Sequence, residues 1–169
     1  MRLGPENATL TVRTGKTGAA AKAGHDLLIE VAEWSATLDL QAGTARLTAD
    51  SRSLRVLEGS GGIQSLGEDD KASIKESIDS EVLKGGAIAF TASQVSGSGD
   101  GALTLSGELD LLGTRRPLTV TLSTGPDGRL SGNATIKQTD WGMKPFSTLF
   151  GTLKVADEVH VAIERRHDG

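Results

Sequence analysis

The stretch ALTLSGELDLLGTRRPLTVTL, residues 102–122, decides the fold class of this chain. Leucines recur at alternate positions of its first half, with polar side chains between most of them. After a turn-forming LGTRRP segment, Leu118, Val120 and Leu122 resume the alternation. A period of two indicates strands that each bury one face. We therefore predict a hairpin of half-buried antiparallel strands.

The same alternation continues on both sides of this hairpin. Its further segments are ATLTVRT, HDLLIEV, WSATLDL, TARLTAD, AIAFTASQV, GRLSGNATIKQ and TLKVADEVHVAIE. The parity of the apolar positions changes between residues 31 and 34, which predicts a bend or bulge near Ala32–Glu33. In contrast, DKASIKESIDSEVL (70–83) has the spacing of an amphipathic helix, with Asp69 or Asp70 as candidate cap and Gly85–Gly86 as its end.

These elements predict an all-β fold with one inserted helix. Each strand is polar on one face, which fits a closed barrel or a two-sheet sandwich. Strands of roughly 8–11 residues favour the barrel, with about eight strands that tilt and curl. The 169 residues are predicted to form a single domain, 1–169, with the helical insertion near 70–84.

Composition narrows the function classes. The net charge of -4 disfavours general nucleic-acid binding, which needs a basic face. The absence of cysteine excludes disulfides, thiolate metal sites and a cysteine nucleophile. No apolar run is long enough for a membrane helix, so we expect no stable membrane insertion. The first 20 residues lack an apolar signal core, and a cytoplasmic location is expected.

His25 stands in phase with Leu27 and Ile29, on the apolar face of its predicted strand. It either bonds to backbone at a strand end or contacts a ligand at the mouth of a cavity. The three histidines are too far apart in sequence to form a metal-binding pair, and no metal site is predicted. A hydrolase elbow G-x-S-x-G is also missing.

Two further segments carry candidate site residues. Arg115 and Arg116 lie on opposite faces of their strand, and they form either a charged hairpin or a contact for an anionic head group. The loop 139–155 holds Trp141, Phe146 and Phe150, which either plug one barrel end or wall a ligand pocket.

Small residues at inward positions bear on whether the interior is hollow. Gly132 and Ala134 share the apolar parity of their strand, and Gly107 interrupts a leucine face. They either leave volume for an apolar ligand or make room for the helix or for large neighbours such as Trp34.

The order and spacing of four segments resemble the YceI-like family nearly end to end. They are GHDLLIEVAEWSATLDL, EDDKASIKESIDSEVLKGGAIAF, LSGELDLLGTRRPLTVTL and QTDWGMKPFSTLFGTLKVADEVHVAIE. The resemblance implies a lipocalin-like antiparallel barrel with a helix inserted mid-chain. It also implies binding of a long polyisoprenoid or isoprenoid-quinone chain inside the barrel. Family members are often dimeric, so a homodimer is a further expectation for this chain. Many members are exported, whereas this sequence shows no signal peptide.

We therefore expect a non-enzymatic protein that carries or sequesters an amphipathic isoprenoid-type lipid, without a cofactor. The expected tunnel wall consists of Leu27, Ile29, Leu38, Phe90, Leu109 and Ile136. The residues expected to close an end are Trp34, Trp141, Phe146 and Phe150. His25 and Arg115 are expected at the polar end of the ligand. The alternatives are a filled barrel that acts as a stress-response or protein-interaction module, and an enzyme that uses His25 on a small hydrophobic substrate.

Overall fold

The computed structural model describes residues 1–62, 65–97, 101–148 and 153–166, which form twelve β-strands in one antiparallel sheet. The strands are β1 (Arg2–Leu3), β2 (Ala8–Thr17), β3 (Asp26–Val31), β4 (Trp34–Asp39), β5 (Thr44–Ala49), β6 (Leu54–Ser60), β7 (Ile88–Gly97), β8 (Ala102–Leu111), β9 (Thr114–Thr124), β10 (Leu130–Lys137), β11 (Ser147–Thr148) and β12 (Leu153–Arg165). The helical elements are α1 (Glu68–Ser77), a π-helical turn (Ile78–Val82) and two 3-10 turns (Ala21–Ala23 and Gln138–Trp141).

A bent hairpin closes the sheet into a barrel. The order of strands is β1-β4-β5-β7-β8-β9-β10-β12-β2-β3-β6, so β3 and β4 lie near opposite ends of it. Yet two residues alone separate β3 from β4 in the chain. The Ala32 amide donates to Ser53 and the Asp50 amide donates to Glu33, which links β3–β4 to β5–β6 across the bend. The two ends of the sheet are thereby joined, which confirms the all-β, lipocalin-like barrel.

The strand count differs from the expected eight for a physical reason. The break expected at Ala32–Glu33 is present, and it divides one long strand into β3 and β4. A matching break at 50–53 divides its partner into β5 and β6. Two of the twelve described strands, β1 and β11, are two residues long. The described barrel wall therefore corresponds to eight long strands, two of which are bent.

Helix α1 packs against β6, the last strand in the sheet order. It begins at Glu68 rather than near residue 70, and the Asp70 carboxylate accepts a hydrogen bond from the Gly67 amide at 2.9 Å. Three acidic residues lie in the first turn, at the positive end of the helix dipole, where their negative charge stabilises the helix. The Lys75 ammonium donates to the carbonyls of Arg52 (2.8 Å) and Leu54 (3.0 Å), which attaches the helix to the start of β6.

The Gln138–Trp141 turn is held by an irregularity in β12. The register of β12 against β2 shifts between Val155 and Val159, which frees the residues between them from regular pairing. The Thr139 amide and hydroxyl donate to the two carboxylate oxygens of Asp157, at 2.8 and 2.6 Å. The hydrogen bond from the Thr139 hydroxyl holds the pKa of Asp157 below its ordinary value of 3.8.

No helix in the described ranges is long and apolar enough to cross a membrane.

We expect Lys75→Met to loosen α1 from the barrel. Hydrogen bonds from a charged group contribute roughly 1.5–3 kcal/mol. Because the Lys75 side chain is partly exposed, we expect the lower end of that range, or about tenfold faster amide hydrogen exchange in α1. Hydrogen-exchange mass spectrometry measures this directly.

Lys71→Met is the matched control for that variant. Lys71 lies on the same helix and pairs with Glu68, whose side chain is almost fully exposed, so its removal is expected to change exchange by less than about twofold. Equal exchange in Lys75→Met and wild type would show that Lys75 does not anchor the helix.

Asp157→Asn tests the contribution of the Asp157 carboxylate to acid stability. Its folded pKa is lowered, so its stabilising effect is fully present above pH 3.8 and disappears as the pH falls through the folded pKa. The difference in melting temperature between wild type and variant is therefore expected at neutral pH and should shrink in acid. Asp140→Asn, in the same turn, is the control. A pH-independent difference for Asp157→Asn would contradict this role.

Candidate ligand-binding cavity

A cavity of about 480 Å³ lies inside the barrel. Small-molecule sites run from roughly 300 to 1,000 Å³, so the cavity has the size of a ligand pocket. Its lining is overwhelmingly apolar because the inward face of each long strand carries Leu, Val, Ile and Ala. Apolar residues from seven of the barrel strands include Leu10, Val12, Leu47, Ile88, Leu105, Val120, Ala134 and Val161.

The expected tunnel wall coincides with this lining. All six residues proposed for it border the cavity, and Phe146 borders it as well. Strand parity alone was enough to identify these wall residues, because it assigns each side chain of a strand to the inward or the outward face. Their contact with a ligand remains a prediction. The six are Leu27, Ile29, Leu38, Phe90, Leu109 and Ile136.

His25 does not border the cavity. Strand β3 begins at Asp26, so the alternation that places Leu27 and Ile29 inward does not extend to the histidine. Its half-buried ring lies against Gly62, where an added Cβ would stand 2.6 Å from Nε2. The glycine at this position thus accommodates the imidazole between β3 and the segment that leads to α1. A ligand-binding role for His25 stays a prediction, without support from its position.

The two tryptophans are buried but do not border the cavity. Trp34 begins β4 and pairs with Ala49 of β5. The Trp141 indole N–H donates to the Leu109 carbonyl at 2.9 Å, which fixes the Gln138–Trp141 turn against β8. Trp141 therefore has a structural role, which is to hold this turn in place. Phe150, the fourth residue expected to close an end, lies outside the described residues.

The arginine pair is oriented differently from expectation. Arg115 pairs with Asp110 on the outer face, its side chain is 71% exposed, and its Nε lies 3.3 Å from the Asp110 carboxylate. Arg116 pairs with the inward residue Leu109 and thus has the inward register, although it is exposed. The sequence contained this signal, because Arg116 shares its parity with Leu118, Val120 and Leu122.

The inward glycines serve close packing. A Cβ on Gly132 would lie 2.6 Å from the Leu122 side chain and 2.7 Å from the Ile163 side chain. A Cβ on Gly107 would lie 2.3 Å from the Thr91 carbonyl oxygen. Both glycines therefore make room for neighbouring groups, while Gly132 and Ala134 also border the cavity, as the other expected use of small residues requires.

Helix residues complete the cavity wall, which the expected site did not include. Ile74, Ile78 and Val82 border the cavity together with Leu83. Their i, i+4, i+8 spacing had marked one apolar face, but sequence alone did not say what that face covers. It covers the interior beside β6, where the barrel wall is interrupted.

Gln138 is the other residue that sequence reasoning missed. It is 6% exposed, borders the cavity, and follows β10 on the inward parity of Leu130 and Ile136. Its side-chain Nε2 donates to the Ala156 carbonyl at 3.1 Å. The remaining polar residues of the lining are Thr14, Thr37, Arg46, Ser73, Ser77 and Asn133.

The part of the cavity wall that the structure describes has no ionisable cluster of the kind that binds metals. Within the described ranges, no group of three or more His, Asp or Glu side chains could hold a metal ion. Arg46, the ionisable member of the described lining, belongs to the solvent-exposed part of its strand.

Known structures share this architecture. BcnA of Burkholderia cenocepacia superposes with a TM-score of 0.66 and 15% identity, over 93% of this chain and 94% of that one. The YCEI protein of Campylobacter jejuni superposes with a TM-score of 0.57 and 14% identity, over 83% and 85% of the two chains. At these identities the likeness shows the fold alone. No curated protein sequence matches this chain.

The match to a family model is more specific than the structural likeness, because it aligns the residues themselves. The model of the YceI-like domain matches residues 6–166, which is nearly the whole chain. This range includes the eight long barrel strands and the inserted helix. The chain therefore belongs to the YceI-like domain family.

Proposed function

We propose that this protein binds an isoprenoid-type lipid inside its barrel, and that it carries or sequesters that lipid without chemically changing it. The observation that carries the proposal is the cavity, which combines the volume of a ligand site with an almost continuous aliphatic lining. Family membership supports the same assignment.

The lining favours a long apolar chain over a compact polar ligand. Burial contributes roughly 0.8 kcal/mol for each CH2 removed from water, so a chain gains affinity along its whole length. Polar metabolites would lose their hydration without recovering enough hydrogen bonds, because few polar side chains face the interior. Tail length is therefore expected to dominate affinity.

The two alternative functions have less structural support. A filled barrel requires side chains that occupy the interior, whereas a cavity of about 480 Å³ supports a hollow one. Catalysis by His25 on a hydrophobic substrate requires the imidazole to reach the cavity, which it does not border.

An organic extract of the protein, purified from its natural host without detergent, tests the proposal by mass spectrometry. We expect a stoichiometric prenyl chain or isoprenoid quinone. An empty extract, combined with failure to take up added isoprenoids, would refute lipid binding. The better-supported function would then be that of a filled barrel that interacts with partners through its surface.

Val120→Trp is expected to block lipid uptake by filling the cavity. Val120 is half-buried and borders the cavity, and the indole would occupy space that the chain needs. We expect at least about a tenfold loss of affinity for a fluorescent prenyl probe, with overpacking costing roughly 1–3 kcal/mol of stability. Ile136→Trp, on the neighbouring strand β10, should have the same effect.

Thr121→Trp is the matched control, because Thr121 follows Val120 on β9 and is exposed on the outer face. It should keep wild-type affinity. Normal uptake by folded Val120→Trp and Ile136→Trp would place the lipid, if it binds, outside the barrel.

A further inference from the structure

Gln138 places a neutral amide at the wall of a predominantly apolar cavity. It is one of two buried polar residues in the described chain, with Ser51, and it is the one that borders the cavity. The β12 irregularity fixes its position, because Ala156 there accepts from the side chain and Asp157 accepts from the next residue, Thr139. Both hydrogen bonds go to β12, so the Gln138 side chain and the turn that contains it are held against that strand.

The Gln138 amide has hydrogen-bonding capacity beyond the Ala156 bond. A glutamine side chain offers two N–H donors and a carbonyl oxygen with two lone pairs. Within the described residues, the structure gives it the bond to Ala156 alone. Its second N–H and its carbonyl oxygen have no further partner among the described residues. Because Gln138 borders the cavity, a ligand bound there is a candidate partner for these groups.

The charges of the lining favour a neutral partner for this amide. The described lining contains no Asp, Glu, Lys or His, and Arg46 is solvent-exposed. A buried anion would therefore lie without a buried counter-ion, which is costly. A hydroxyl or carbonyl needs hydrogen bonds and no counter-ion, and a glutamine amide can supply them.

A second polar group lies on the same part of the wall. Thr14 is half-buried, borders the cavity and pairs with Val159, which pairs in turn with Ile136, two residues before Gln138. Leu10, Leu130 and Ile163 border the cavity toward the other end of β2, β10 and β12, beside Leu122 of β9, and the exposed Asn133 is the polar lining residue there. Gln138 and Thr14 therefore form a polar group at the opposite end of these strands from Leu10 and Leu130.

We propose that Gln138 determines specificity by hydrogen bonding to a neutral hydroxyl or carbonyl group of the bound lipid, with the apolar chain extending toward the Leu10 and Leu122 end. This inference rests on the proposed function. It assigns the ligand to the class of prenyl alcohols, ketones or quinones rather than to prenyl phosphates.

Three probes with one skeleton test the inference: a prenyl alcohol, the hydrocarbon that ends in a methyl group instead, and the prenyl monophosphate. Affinities are measured by displacement of a fluorescent lipid. Wild type is expected to prefer the alcohol over the hydrocarbon by about tenfold, the gain of one or two neutral hydrogen bonds. In Gln138→Met, which keeps an unbranched side chain of similar length, this preference should disappear while hydrocarbon affinity is retained.

Gln94→Leu is the control, because Gln94 is exposed on β7, and it should leave the alcohol preference unchanged. Gln138→Leu serves as a second variant if Gln138→Met does not fold. Loss of the Ala156 bond alone would weaken both probes equally, so the ratio of affinities isolates the contact with the ligand.

The outcomes separate this inference from the proposed function. An unchanged alcohol preference in folded Gln138→Met, or stronger binding of the monophosphate than of the alcohol by wild type, would overturn the role of Gln138 and leave lipid binding intact. Failure of wild type to bind any of the three probes would overturn the proposed function and the inference together.

Discussion

The break between Val31 and Trp34 governs how this sheet closes. The hairpin of β3–β4 with β5–β6 changes direction there, so that one half pairs with β2 and the other half with β7. Closure in this manner leaves β6 with a free edge, because β7 pairs with β5 instead. An open edge is an aggregation hazard that proteins cover. Helix α1 covers it, and the apolar face of the helix thereby becomes part of the cavity wall.

Strand alternation predicted the fold class and most of the wall. Leu27, Ile29, Leu38 and Phe90 were assigned to the interior because period-two parity depends on local geometry alone. The break at Ala32–Glu33 was visible for the same reason. The strand count was less accurate, since parity does not reveal that a bent strand divides into two segments with different neighbours.

Site residues at the ends of strands were not predictable in this way. His25 was assigned by extending the alternation one residue before the start of β3, where strand geometry no longer sets the direction of the side chain. Arg115 was chosen over Arg116 although parity favoured the latter. Gln138 continues the inward parity of β10, but its burial in a 3-10 turn depends on the irregularity of β12, a tertiary feature that the sequence pattern does not reveal.

The cavity lining combines Val, Ile and Leu with small residues, which include Ala36, Ala45, Ala49 and Ala134. Gly107 and Gly132 pack closely against their neighbours, and Gly132 also borders the cavity. With three Phe and two Trp in the chain, few rings are available to fill it. Phe90 and Phe146 border the chamber, and both tryptophans are placed elsewhere.

The placement of those two tryptophans has a spectroscopic consequence. The chain has no tyrosine, so its near-ultraviolet emission comes from two buried indoles in the frame of the barrel. Neither indole borders the chamber, and the Trp141 ring is fixed by its bond to Leu109. Intrinsic fluorescence will therefore report unfolding of the frame rather than filling of the chamber. Occupancy is better read from an acceptor carried by the lipid itself, which would quench the indoles by energy transfer.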